Sequence, residues 1–350
     1  MDTRYARVAP ADSRARAHPR VIIPTVKVLV TGSNGHLGEA LMRRLPQEGH
    51  TTLGLDVTPG RFVDVAASVA DREAVRAALD GVDAVMHTAT LHKPHVGTHP
   101  RQDFIDTNLT GTLTVLEEAV KAGVRSFVFT STTSAFGRAL MPAPSEPAAW
   151  ITEDVVPRAR NIYGVTKLAA EDLCELVHRD HGLPCLVLRT SRFFPEPDDH
   201  DDRRAAYDDL NLKVCELLYR RVDLEDVVSA HVRAIERAPD LGFGRYIISA
   251  TTPFSVEDLA ALRGRAGDVV ARRHPEYERI FADRGWSMLP DIERVYVNER
   301  ARAELGWEPR HTFGTALGAL ADGRDPRSAI ARAVGAKGYH ERTVGIYTTR

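Results

Sequence analysis

Cysteine is nearly absent from this chain, long apolar runs are missing, and neither sign of charge dominates. The 3 cysteines, Cys174, Cys185 and Cys215, are odd in number and lack paired spacing. That argues against a disulfide framework and a thiolate metal site, and for a reducing compartment. Lysine and arginine total 46 against 48 acidic residues, a net charge of -2, so the basic footprint that nucleic-acid binding needs is missing. No apolar stretch approaches the roughly 20 residues of a membrane span, and residues 1–26 lack the apolar core of a secretory signal. The expectation is a soluble, cytoplasmic protein acting on small molecules. With 350 residues, 43% of them hydrophobic, the chain can bury more than one average core, which suits a large domain with a smaller one.

What is present is a strand that runs into glycines. Val26 to Val30 is aliphatic and β-branched, and it breaks into Gly32, Gly35 and Gly38 where a helix should begin. In such a loop the first glycine permits the tight turn and the second lets a pyrophosphate approach bare backbone. The third lets the helix pack close to the strand, and its first N–H groups face the phosphates. Glycine turns are common, so the second signal is Asp56, which closes the next strand where a carboxylate accepts both hydroxyls of an adenosine ribose. A 2′-phosphate would be repelled there, which favours NAD over NADP. The same loop offers Asn34, His36 and Leu37 to the cofactor.

From Val26 to Arg189 strands and helices alternate, the pattern of a parallel, doubly wound α/β sheet with ligands at its carboxyl ends. Expected strands are 26–31, 51–55, 61–64, 83–88, 125–131 and 184–190; expected helices are 36–46, 71–79, 101–122 and 160–181. Residues 1–25 are expected to be a mobile extension, 26–190 the nucleotide-binding domain, and 191–350 a smaller α+β lid with a C-terminal tail, some of whose segments return to the sheet. Within the lid, helices are expected near 208–219, 255–264, 275–284 and 298–305, with a strand at 244–249. The aspartates from Asp198 to Asp202 are adjacent in sequence and need not converge, so a solvated loop is favoured over a metal site. His92, His95 and His99 have loop spacing without an acidic partner, which also argues against a metal.

The chemistry centres on Tyr163-Gly164-Val165-Thr166-Lys167, preceded by a hydroxyl-rich strand end at Ser131-Thr132-Thr133. Four residues apart on a helix, Tyr163 and Lys167 share a face, so the ammonium lies beneath the phenol. A nearby cation favours the phenolate and should bring its pKa down from about 10, making Tyr163 a general base while Thr132 holds a substrate alcohol.

These motifs, together with His87-Thr88-Ala89-Thr90, Asn108-Leu109-Thr110-Gly111-Thr112 and Ala303-Glu304-Leu305-Gly306-Trp307-Glu308-Pro309, resemble the extended short-chain dehydrogenase/reductases from Val26 to Leu320. More narrowly the chain is similar to their NAD-dependent epimerase/dehydratase group, which acts on nucleotide sugars. The resemblance implies a Rossmann-type fold and NAD held by the glycine loop, Asp56 and the Thr88, Ala89, Thr90 turn. It also implies a backbone-supporting Asn108, a catalytic set of Thr132, Tyr163 and Lys167, and a homodimer through helices 101–122 and 160–181, with Leu113, Leu116, Ala119, Leu168, Leu173 and Leu176 as candidate faces.

Departures bear on the substrate. The usual adenine-contacting aspartate is replaced in Ala67-Ser68-Val69, leaving Ser68 and Val69 to make a weaker or backbone contact. The carboxylates that dehydratases and decarboxylases keep after the catalytic threonine are here Thr133 and Ser134, and a 3,5-epimerase of the kind that uses a cysteine there lacks its thiol. What remains resembles a 4-epimerase or a simple alcohol dehydrogenase; a non-catalytic NAD sensor is the third reading, opposed by the intact catalytic set. Arg192 stands where relatives hold the substrate diphosphate, either clamping an anion or pairing with the acidic loop after Pro197. His92 and Lys93 are expected near the nicotinamide pocket. The short stretch from Lys213 to Asp226 argues against a large nucleotide cover.

Overall fold

The computed structural model describes residues 25–198 and 200–337. The strands are β1 (Lys27–Thr31), β2 (Thr51–Asp56), β3 (Val65–Ala66), β4 (Ala84–His87), β5 (Ser126–Thr132), β6 (Ala149–Ile151), β7 (Cys185–Thr190), β8 (Phe243–Ile248) and β9 (Arg294–Tyr296). The helices are α1 (His36–Arg44), α2 (Arg72–Ala78), α3 (Arg101–Phe104), α4 (Gly111–Ala122), α5 (Ile162–His181), α6 (Asp201–Ala206), α7 (Asp209–Glu216), α8 (Leu224–Leu241), α9 (Ala266–Arg273), α10 (Tyr277–Ala282), α11 (Glu299–Leu305), α12 (Phe313–Ala321) and α13 (Ala329–Val334).

Seven strands form one parallel sheet in the order β3-β2-β1-β4-β5-β7-β8. The central strands β1, β4, β5 and β7 are buried on both faces and largely apolar, whereas β2, β3 and β8 toward the edges are partly exposed. On one face Val30, Met86, Val128 and Leu188 pack with α1, α8 and α13; on the other Leu29, Val85, Phe127 and Val187 pack with α2, α4 and α5. The order reverses between β1 and β4, so a crevice opens there at the carboxyl ends, as doubly wound sheets require.

Beyond residue 190 a third core of Leu218, Phe254, Leu262, Val269, Phe281, Phe313 and Leu317 builds the lid. The Trp307 segment is riveted to α8: Asp226 accepts the Arg310 and His311 N–H groups at 2.8 Å each, and Trp307 Nε1 donates to the Asp226 carbonyl at 3.1 Å. Among the described residues no helix is long and apolar enough to cross a membrane.

Several expectations are corrected. The third strand is Val65–Ala66 rather than 61–64. Residues 60–64 instead turn, with Val63 donating to the Gly60 carbonyl, and Asp64 docks on Gly54 through backbone and carboxylate. The 101–122 helix is interrupted by a π-helical stretch at Ile105–Thr110. The expected helix 255–264 shrinks to a turn at Val256–Asp258, followed by mixed i+3 and i+4 bonds that never settle into one register. As expected of some lid segments, β8 returns to the main sheet, beside β7; not expected is a parallel pair, β6 with β9, that ties the lid to the segment after β5, since three-residue strands carry no alternation to detect. The expected N-terminal extension up to residue 24, the tail after residue 337 and Asp199 lie outside the described residues.

Candidate active site

The turn after β1 explains its glycines by space. Gly32 has φ +69°, and a Cβ there would lie 2.7 Å from the Ala89 nitrogen, so the β1 loop can pass the β4 loop only without a side chain. A Cβ on Gly38 would lie 2.0 Å from the Gly32 carbonyl oxygen, which is the close helix–strand packing expected of the third glycine. Gly35 caps α1, whose first N–H groups have no partner inside the helix. Asp56 Oδ2 accepts the Asn34 N–H at 3.0 Å and its Oδ1 accepts the Thr58 N–H at 2.9 Å, so the carboxylate sits against the glycine loop. Ser68 accepts the Ala70 N–H at 3.1 Å, and Val69 is buried with its Cγ2 2.5 Å from where a Gly111 Cβ would stand. The cradle and its acidic rim fit a dinucleotide with a free ribose diol.

After β4, Thr88 Oγ1 donates to the Thr31 carbonyl at 2.7 Å, and buried His87 bridges Thr31 at 2.7 Å and Thr112 at 3.0 Å. Burial pushes the His87 imidazole down to about 3, with the Lys167 charge acting in the same direction, so it is a neutral bridge. Asn108, presented by the π-helical stretch, is 1% exposed. Its Oδ1 accepts from Leu91 N at 2.8 Å and Thr90 Oγ1 at 3.0 Å, while Nδ2 donates to the Leu91 carbonyl at 2.8 Å and Thr166 Oγ1 at 3.1 Å. One side chain thus joins the β4 loop to the helix that carries Tyr163 and Lys167.

Thr132 ends β5, accepts the Ser134 N–H at 3.0 Å and hydrogen-bonds Tyr163. Asn161 caps α5 through the Gly164 N–H, which fixes where Tyr163 and Lys167 face. Both are buried, and Lys167 Nζ lies 4.1 Å from the Phe129 ring centre. The expected cation-driven lowering of the phenol does not appear. Burial pushes Tyr163 up to about 12 despite the Thr132 hydrogen bond, and burial pushes Lys167 down to about 7. Desolvation penalises both charged forms more than their neighbours restore.

The substrate-side residues divide. Thr133 is buried, with its hydroxyl toward the Thr190 carbonyl at 3.4 Å, whereas Ser134 is exposed. The Arg192 side chain is held by the lid loop: it donates to the Pro197 carbonyl at 2.8 Å and pairs with Asp198 at 3.3 Å. Of the two roles open to Arg192, this is the pairing with the acidic loop. His92 is buried with its ring stacked 5.2 Å from Phe194, whose edge-on contact with His36 is 5.3 Å; Lys93 opens the turn that follows His92. The sequence reading missed Phe194 and Glu196, which pairs with His36 at 3.0 Å, because nothing local marks a lid loop that folds back onto the glycine turn. Among the described residues no group of His, Cys, Asp or Glu could hold a metal ion.

The model of the NAD dependent epimerase/dehydratase family matches residues 28–244, and the chain belongs to that family, with NAD as cofactor. It is 26% identical to UDP-glucose 4-epimerase of Bacillus subtilis over 81% of this chain and 92% of that protein. It is also 26% identical to cinnamoyl-CoA reductase 1 of Arabidopsis thaliana, over 71% of this chain and 75% of the relative. A solved short-chain dehydrogenase/reductase superfamily protein from Agrobacterium tumefaciens with bound NAD superposes at TM-score 0.60 with 24% identity, covering 88% and 97% of the two chains. Across eight curated relatives the match spans 39% to 92% of their length.

Proposed function

We propose that the chain is a nucleotide-sugar 4-epimerase working by transient oxidation of a secondary alcohol. The observation that carries this reading is the Thr132–Tyr163–Lys167 set with no carboxylate or thiol at the two positions after Thr132: Thr133 and Ser134 stand there, one buried and one exposed. Elimination and decarboxylation need an acid or base at that place; alcohol oxidation needs only the hydroxyl, the phenol and the lysine. Thr132 orients the substrate hydroxyl and Tyr163 takes its proton. Lys167 offsets the negative charge on the phenol, and Asn108 holds the β4 loop against α5. The glycine turn and Asp56 would hold NAD, which would supply a reversible hydride acceptor. UDP-glucose 4-epimerase among the relatives supports the choice of substrate class.

The second reading, a dehydrogenase or reductase of a small alcohol, is favoured by one observation. Arg192 is already engaged by Asp198 and the Pro197 carbonyl, so it offers no free anchor for a diphosphate. Incubation with a panel of UDP-sugars and free sugars, following C4 configuration by NMR and NADH by absorbance, separates the two. Epimerised UDP-sugar without accumulating NADH supports the proposal; stoichiometric NADH with a free sugar moves the assignment to the dehydrogenase.

A further inference from the structure

Behind the catalytic set lies a buried charged network that the reaction scheme does not use. Glu171 stands one turn after Lys167 on α5 and is 1% exposed. Its carboxylate accepts the Ser131 hydroxyl at 2.5 Å, and Arg189 Nε and Nη2 at 3.1 and 2.7 Å. Arg245 of β8 approaches the same carboxylate at 3.4 Å. Ser131 immediately precedes Thr132 on β5, and its carbonyl accepts the Thr190 hydroxyl at 2.9 Å. A single carboxylate therefore fastens the helix carrying Tyr163 and Lys167 to the strand end carrying Thr132.

The electrostatic side is equally specific. Lys167 is a second buried cation, 2% exposed, yet it forms no ion pair among the described residues and rests on the Phe129 ring. Burial pushes its ammonium down to about 7, and Glu171 pushes it back up; the Cys174 thiol, itself raised well above its usual range by burial, carries no charge near pH 7. The other titratable groups around it are Tyr163 on α5 and His87 on β4, which is neutral; Cys185 on β7 faces Cys174, and Arg189 and Arg245 lie on Glu171. Glu171 is the carboxylate left to keep Lys167 charged, and Arg189 holds it in place.

We infer that Glu171 is a positioning residue for the Tyr163–Lys167 pair: anchored by Ser131 and Arg189, it holds α5 in register with Thr132 and places a carboxylate one helical turn from Lys167. The inference rests on the reading that Tyr163 and Lys167 work as a pair in alcohol oxidation, and its test needs neither cofactor nor substrate. Lysine 13Cε labelling, with the Lys167 resonance assigned by Lys167→Arg, follows the ammonium directly through a pH titration. The wild type should titrate near 7. Glu171→Gln should titrate lower by about one unit or more, and Glu171→Asp should recover at least half of that shift. Because Gln at 171 leaves Arg189 buried without a counter-charge, Glu171→Gln/Arg189→Gln serves as a second variant, checked for fold by circular dichroism, with a downward shift smaller than that of Glu171→Gln expected, since the opposing Arg189 charge goes with the carboxylate. An unchanged midpoint in either folded variant, or no recovery with Asp, overturns the inference. A shifted midpoint in an enzyme that turns over no sugar would instead count against the proposed function alone.

Discussion

Tyr163 and Lys167 are driven by burial in opposite directions, the phenol up to about 12 and the ammonium down to about 7, so the proton most easily lost from the pair leaves near pH 7. Below that pH both groups are protonated and neither can accept the substrate proton; above it the pair holds a single proton, and the form with that proton on Lys167 leaves Tyr163 able to accept while Lys167 stays an ammonium. Alcohol oxidation should therefore rise as pH increases through about 7, and Lys167→Met should move that rise upward toward the phenol's own range; a pH–rate profile checks it. Tyr163→Phe should keep NAD affinity and lower turnover roughly 100- to 10,000-fold. At the other end of the crevice, Asp56 meets the Asn34 and Thr58 N–H groups with one carboxylate. Asp56→Ala should weaken NAD binding by on the order of 1.5–3 kcal/mol in calorimetric titration. A wild-type preference for NADP would contradict that placement. These residues were legible because each sits in a motif whose spacing carries the chemistry. For Arg192 the sequence left an anion clamp and a pairing with the acidic loop both open, because only the folded lid brings Asp198 within 3.3 Å of it.

The glycine turn and the helices behind it set the tolerances at the level of elements. Gly38→Ala places a Cβ 2.0 Å from the Gly32 carbonyl oxygen. The variant should lose about 1–3 kcal/mol of stability and most of its NAD affinity, as an overpacked site does. Gly318→Ala is the control: that helical glycine has nothing within 4 Å, so alanine should stabilise by roughly 0.5–1 kcal/mol. Urea unfolding with and without NAD separates the two. Two buried histidines set the acid limit. Burial lowers His87 to about 3 and His231 to about 4, from 6.5. Between about pH 6.5 and 4 the native state binds fewer protons than the unfolded chain, so stability falls on acidification by about 1.4 kcal/mol per pH unit for each histidine. His87→Gln should flatten urea midpoint against pH by about half of that joint contribution. The main-sheet strands were readable as buried apolar runs. The π-helical stretch that aims Asn108 was not, because residues 101–122 keep a helical pattern straight through it.

At the scale of the whole molecule, a doubly wound parallel sheet was expected and is found, and lid segments were expected to return to it, whereas the strand order, the β6–β9 pair and the place of β8 beside β7 are long-range pairings with no local signature. Dimerisation belongs here too. Leu116 and Ala119, candidate faces from the sequence, are fully buried in the core beneath α4 and unavailable to a partner, whereas Val165 and Leu176 on α5 are 52% and 37% exposed. The expectation is a homodimer through α5 in sedimentation at micromolar concentration, converted to monomer by Val165→Arg/Leu176→Arg; a monomeric wild type would contradict it. In the proposed cycle hydride leaves a secondary alcohol and returns to the same molecule. A UDP-sugar deuterated at C4 and mixed with excess free NAD tests it: epimerised product should keep its deuterium at C4, and deuterium appearing in free NADH would contradict the cycle.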